Sequence, residues 1–329
     1  MAGAHSKGQT MNSIFLITFL SLLLQEKKVE YDPLSTSSKV TVVDESFGYD
    51  NDKTVPLRIY FPEVVSKSPV ILFSHGLGGS KENNPYLGNH WASRGYVVVF
   101  MQHVGSDDRI WKDILELKKF KPIKSSVSKA SFDRRKADVP ATLDQLEQWN
   151  EEGKKFAGRF DMDRIGMSGH SFGAITTQAL CGQSFGRQGQ AFTDARIKAA
   201  IPMSPSPPQD GDDRRAFAKV PVPWLLMTGT HDSPVISPSD PKVRLKVFQH
   251  LPAKGHVYQL VLDGAEHSAF SDREFGLKKP RNPNHHKSIL ALSSAFWDCY
   301  LKEDRAAKKW LNGRKAKKVL EPKDSWRRK

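Results

Sequence analysis

The strongest chemical signal in the chain is Gly169-His170-Ser171-Phe172-Gly173. A serine hydroxyl is a weak nucleophile near neutral pH. It needs a base within hydrogen-bond reach and a third group to orient that base. Glycines two residues before and two after the serine suit a sharp strand-to-helix turn, where a Cβ would crowd the backbone. A bare Gly-x-Ser-x-Gly is common by chance, and its plain reading is a glycine-rich loop with an inert serine. Context decides, and the flanks here are right: Arg164-Ile165-Gly166-Met167 reads as a strand and 174–181 as a helix. Ser171 is the expected nucleophile.

The base and the acid should follow the serine in the chain, each just beyond a strand. Asp232 follows the strand-like run 224–228 in Gly229-Thr230-His231-Asp232-Ser233-Pro234, and His267 follows 257–262 in Gly264-Ala265-Glu266-His267-Ser268. Their competitors fit less well. Asp240 lies deeper in its loop, and Asp263 is too near His267 to support it across a site. His231, His250 and His256 have no matching position after a strand, while His285 and His286 adjoin a helix start and read as solvent-facing. Asp232 is therefore the expected acid and His267 the expected base.

Acyl chemistry through such a serine builds an oxyanion, which calls for backbone N–H donors already in place. Phe172, the residue after the nucleophile, should give one. Leu77, in the turn His75-Gly76-Leu77-Gly78-Gly79 after the apolar run 69–73, should give the other. No cofactor or metal is called for. His75, His103 and His170 lack ligand spacing and read as supports of the pocket. His103, Trp111, Met167, Met203 and Trp224 are the expected pocket side chains, although large apolar residues near strand ends are more often plain core.

These groups need a scaffold. Runs 40–47 and 55–61, separated by Tyr49-Asp50-Asn51-Asp52, read as an opening hairpin. Further strands are expected at 69–73, 96–101, 164–167, 197–203, 224–228 and 257–262. Helices are expected at 81–93, 132–149 (with Pro140 as a kink), 174–181 and 287–301. The lysine-rich stretch 104–130 reads as an excursion above the sheet, a cap or pocket wall. Strands alternating with helices predict an α/β architecture, a mostly parallel sheet covered on both faces. No linker or repeat divides it, so one domain over 40–312 is expected, after a linker at 26–39.

The chain has 329 residues, 38% hydrophobic and 26% charged, the balance of a globular protein. Its net charge is +14, and residues 301–329 hold twelve Lys or Arg against four Asp or Glu, a net of +8. The basic C-terminal tail 313–329 reads as a solvated, frayed end that offers weak contact to an anionic surface. No zinc-finger or aromatic RNA-binding pattern accompanies it, so nucleic acid is not an expected partner. Cys181 and Cys299, the only cysteines, form no Cys-x-x-Cys pair and read as buried free thiols. Residues 14–24 form an apolar run interrupted only by Thr18 and Ser21. That is too short to span a bilayer but fits the core of a secretory signal over 1–25, which would place the protein in the periplasm or outside the cell. The alternative is a buried N-terminal helix in a cytoplasmic protein. Met1 and Met11 are both available as starts.

Phe73-Ser74-His75-Gly76-Leu77-Gly78 together with Gly169-His170-Ser171-Phe172-Gly173 resembles the platelet-activating-factor acetylhydrolase group. More widely it resembles bacterial predicted dienelactone hydrolases and acetylhydrolases. Trp91-Ala92-Ser93-Arg94-Gly95-Tyr96, Gln102-His103-Val104-Gly105-Ser106-Asp107 and Gly264-Ala265-Glu266-His267 extend the match over roughly 40–301. The resemblance implies an α/β-hydrolase fold, with oxyanion donors at Leu77 and Phe172. Two departures stand out. Dienelactone hydrolases use a cysteine where this chain has Ser171, and Ala174 stands where the acetylhydrolase turn usually has a further glycine. Hydrolysis of a short-acyl or phospholipid-type ester, a small-molecule or lipid substrate, is the leading expectation. Acyl transfer or polyester hydrolysis with the same residues is the alternative, and a non-catalytic binding module with a basic tail is a third.

Overall fold

The computed structural model describes residues 1, 3, 30–63, 67–111, 128–208, 212–234, 239–253, 256–272 and 281–329. The apolar run 14–24 and most of the 104–130 excursion lie outside the described residues. The chain divides into two compact units, Met1–Asp32 and Pro33–Lys329. The second carries everything described below.

Among the described residues its nine strands are β1 (Val40–Tyr49), β2 (Lys53–Pro62), β3 (Ser68–Ser74), β4 (Val97–Met101), β5 (Phe160–His170), β6 (Ile197–Met203), β7 (Trp224–His231), β8 (Val257–Glu266) and β9 (Ser325–Arg328). They form one sheet in the order β1-β2-β4-β3-β5-β6-β7-β8-β9. The six strands β3 through β8 run parallel, while β1, β2 and β9 are antiparallel additions at the two edges. The opening hairpin turns through Asp50 and Asn51, both left-handed at φ 50° and 62°. Short polar residues tolerate that conformation best after glycine, and it matches the twist of the flanking strands.

The helices are α1 (Pro85–Ser93), α2 (Lys129–Asn150), α3 (Phe172–Leu180), α4 (Asp213–Phe217), α5 (Leu245–His250), α6 (Pro283–Leu301) and α7 (Arg305–Asn312). Because strand side chains alternate, each parallel strand feeds two cores. Val70, Leu72, Val97, Val99, Met167, Trp224 and Leu226 pack with Val139 and Leu143 of α2, Leu180 of α3 and Val247 of α5. On the opposite face Trp91 of α1 meets Trp297 of α6 edge to face at 5.9 Å, and Tyr258 of β8 packs against Phe296 of α6. Helix α2 continues through Pro140, and Cys181 and Cys299 are both buried and free.

The basic stretch 313–329, read from sequence as a frayed end, is structured. Arg314–Val319 forms a 3-10 turn around the buried Ala316, and β9 adds to the edge of β8. Trp326 stacks on Tyr258 at 5.5 Å, which supplies the apolar anchor that the charge count concealed. Arg327 and Arg328 remain exposed, and cationic side chains on an edge strand discourage further pairing.

Candidate active site

Ser171 sits between the last residue of β5 and the first of α3, with φ 57° and ψ −115°. A non-glycine residue held at positive φ stores about 1–3 kcal/mol of strain. The surroundings enforce it. The Ser171 N–H donates to the Met203 carbonyl of β6 at 2.9 Å. A Cβ on Gly173 would overlap the Ser74 carbonyl oxygen, and one on Gly169 would overlap Gly173. Both glycines of the motif are there for space.

The ends of β7 and β8 bring the other two groups to this turn. His267 Nε2 lies 2.8 Å from Ser171 Oγ, and its Nδ1 lies 2.6 Å from Asp232 Oδ1. Ser171 and His267 are half-buried while Asp232 is fully enclosed. The second oxygen of Asp232 accepts from the Thr228 hydroxyl at 2.8 Å. Burial alone would raise the Asp232 carboxyl. The His267 hydrogen bond, the charges of His267 and Arg244 and the Thr228 hydroxyl outweigh it and hold the group down at about 2. A carboxylate that stays ionised, with its acceptor aimed at Nδ1, fixes the imidazole so that Nε2 faces the serine.

His170, within the motif, is buried and stands 4.7 Å from the His267 ring. Its Nε2 donates to the His267 carbonyl at 3.0 Å, tying the base's main chain to the elbow. Burial pulls His170 down to about 3, so it stays neutral there.

The turn expected to help hold an oxyanion lies against the nucleophile: a Cβ built on Gly76 would stand 3.4 Å from Ser171 Cβ. Among the described residues, the N–H groups of Leu77 and Phe172 donate to no backbone carbonyl in the turns and caps, whereas Gly78 N–H donates to Ser106 and Gly79 N–H to Gly76.

The expected pocket residues divide. Trp111 lies against the turn that bears Leu77: its indole N–H donates to the Gly78 carbonyl at 2.8 Å. The other four are fully buried. Met167 and Trp224 sit in the core that the sheet forms with α2, α3 and α5. Met203 is likewise buried, and its carbonyl accepts the Ser171 N–H. His103 is fully buried, with Nε2 2.9 Å from Ser74 Oγ and Nδ1 2.9 Å from Asp138 Oδ2.

Sequence reasoning missed two buried arginines. Arg244 donates to the Asp232 carbonyl at 2.8 Å, stands 3.1 Å from its Oδ1, and donates to the Ser204 carbonyl at 2.8 Å. Arg135 donates to the His75 carbonyl at 2.7 Å and to Ser106 Oγ at 2.9 Å. Each reads as one more cation on a polar helix, and nothing local marks it as buried.

Residues 62–111 match the family model of platelet-activating factor acetylhydrolase, isoform II. Cutinase 2 of Thermobifida cellulosilytica is 25% identical over 241 residues, 73% of this chain and 70% of that one. A cutinase of Thermobifida fusca is also 25% identical over 241 residues, and there the match spans only 58% of the relative's length. A cutinase of Thermobifida alba is 24% identical over 213 residues, 64% of this chain and 57% of that one. The six-strand parallel centre, the serine on its turn after β5 and these relatives lead to one assignment: the chain is an α/β-hydrolase by fold.

Proposed function

We propose that the protein hydrolyses carboxylic esters through an acyl-enzyme on Ser171. The observation that carries this reading is the unbroken chain from Ser171 Oγ through His267 to Asp232, at 2.8 and 2.6 Å, on a strained and accessible turn. Ser171 Oγ attacks the ester carbonyl carbon as its proton passes to His267 Nε2. The electron pair of the carbonyl moves to oxygen, where the N–H groups of Leu77 and Phe172 receive the charge. Asp232 accepts from Nδ1 throughout and offsets the imidazolium. Collapse of the tetrahedral centre expels the alcohol, which takes the proton from His267. Water then attacks the acyl-enzyme with His267 as base again, releasing the acid and restoring Ser171.

The substrate is an accessible ester, of short acyl chain or phospholipid type, in keeping with the acetylhydrolase model over 62–111. The relatives named cutinases favour polyester hydrolysis as the second reading, and acyl transfer would use the same residues. Export through the apolar run 14–24 belongs to this proposal, and N-terminal sequencing of the mature protein tests it. A p-nitrophenyl ester series of increasing acyl length, with and without acceptor alcohols, tests the activity. Hydrolysis of short esters that vanishes in Ser171→Ala supports the reading. Products dominated by the transesterified alcohol would replace hydrolase with transferase.

A further inference from the structure

The segment Gln102-His103-Val104-Gly105-Ser106-Asp107 contributes no hydrogen bond to the Ser171–His267–Asp232 chain among the described residues, yet His103, Ser106 and Asp107 pair with the turn that bears Leu77. Arg135, fully buried on α2, joins the two. Its Nη1 donates to the His75 carbonyl at 2.7 Å and its Nε to Ser106 Oγ at 2.9 Å. Ser106 in turn accepts the Gly78 N–H at 3.0 Å, so Arg135 holds the turn on both sides of Leu77. The same guanidinium lies 4.3 Å from the centre of the Phe172 ring, a cation–π contact with the residue that bears the other oxyanion N–H.

The His75 ring completes the linkage. The His103 N–H donates to His75 Nε2 at 3.0 Å, so in the neutral ring the proton sits on Nδ1, which donates to the Gly76 carbonyl at 2.6 Å. Gly79 N–H donates to that carbonyl as well, at 3.0 Å. A trans peptide points its C=O and N–H in opposite directions. Two donors that pin the Gly76 oxygen therefore also fix the direction of the Leu77 N–H.

We infer that Arg135, acting with Ser106 and the His75 ring, is the positioning residue of the oxyanion hole, holding the Leu77 and Phe172 arms at a fixed separation and aim. This rests on the ester-hydrolase reading above. Arg135 touches no reacting atom. Its effect is to have the two donors in place before charge develops, which is where oxyanion catalysis gains its strength. A guanidinium fork suits the task because it reaches several acceptors in one plane, which an ammonium group does not.

The test measures kcat and KM for p-nitrophenyl acetate and the affinity of phenylboronic acid, which forms a tetrahedral adduct with an activated serine. The proteins compared are the full-length chain and its Arg135→Lys, Arg135→Gln and Ser106→Ala variants, each with its melting temperature. In Arg135→Gln, kcat should fall about 10- to 100-fold, less than or equal to the loss of a whole donor. KM should stay within about threefold, and boronate affinity should fall in step with kcat. Arg135→Lys should recover part of the loss. Ser106→Ala removes one acceptor without stranding a charge, so it should lower kcat several-fold at a nearly unchanged melting temperature. It carries the test if Arg135→Gln does not fold. Folded variants whose kcat and boronate affinity stay within about twofold of the parent would overturn the assignment. A parent chain inert to both reagents would instead sink the ester-hydrolase reading.

Discussion

Two Ser–His–Asp chains end on neighbouring strands of this sheet, and only one has the surroundings of a nucleophile. Ser74 closes β3 in register with Gly169 of β5, two residues before Ser171. Its hydroxyl meets His103 at 2.9 Å, and His103 meets Asp138 at 2.9 Å. The bond lengths nearly match those of the Ser171–His267–Asp232 chain. The environments do not. Ser74, His103 and Asp138 are all fully buried, and Asp138 is shared with the Tyr49 hydroxyl and Arg134, each at 2.6 Å. Arg135 Nη1 also approaches Ser74 Oγ, at 3.4 Å. Burial draws the His103 ring down to about 4, against a smaller upward pull from Asp138. A hydrogen-bonded triad of residues is therefore not sufficient for attack. Access, a strained turn and waiting donors distinguish Ser171, while Ser74 sits in regular strand with its partners saturated.

Substitutions separate the two chains. The largest effect is expected at the outer one: Ser171→Ala or His267→Ala should lower kcat by about 10⁴-fold or more with the melting temperature nearly unchanged, as for serine hydrolases whose triad acts as a unit. Steady-state kinetics beside a thermal melt check this. Gly173→Ala should cost about 4 kcal/mol or more, because the added methyl meets the Ser74 carbonyl where the first turn of α3 lies against the end of β3. Loss of soluble folded protein is the readout, and normal folding would contradict the spatial account of the motif.

At the inner chain the ranking reverses. Asp138→Asn should cost about 3 kcal/mol in denaturant unfolding, since Arg134 would lose its carboxylate and the buried Arg135 a nearby negative charge. Ser74→Ala should cost about 1–3 kcal/mol by leaving His103 Nε2 without a donor, and should lower kcat by less than about tenfold. A kcat loss in Ser74→Ala as large as that in Ser171→Ala would erase the distinction between the two chains.

Acid should expose the same contrast. His103 and His170 are neutral in the folded protein, with values near 4 and 3 against the ordinary 6.5. The unfolded chain takes up protons first, so stability is full above about pH 6.5 and is lost as pH falls toward 4. Denaturant unfolding at pH 7 and pH 4.5 should show a drop of a few kcal/mol, and a flat profile would mean that neither ring is held neutral by burial.

How much of this was legible in the sequence follows from where each residue finds its partners. The apolar runs at 69–73, 197–203 and 257–262 gave strands within a few residues of their observed ends, because buried parallel strands are recorded in their own side chains. Strand β5 begins at Phe160 rather than 164 because its first turn of ladder carries Asp161 and Asp163, polar residues at the rim. Ser171, Asp232 and His267 were readable from chain order, since each follows a strand in the parallel sheet. The buried side chains that support them were not. Arg135 lies within Arg134-Arg135-Lys136, and Arg244 follows Lys242-Val243, so both resemble solvated helix faces until distant loops close over them. His103 lies just after β4, and a strand end can turn its side chain under the next loop as readily as above it.

The most direct measurement is reaction of the intact protein with a fluorophosphonate, followed by peptide mapping of the adduct. A single adduct on Ser171, absent from Ser171→Ala and unchanged in Ser74→Ala, is the predicted result. An adduct on Ser74, or labelling that persists without the Ser171 hydroxyl, would contradict the assignment of the nucleophile.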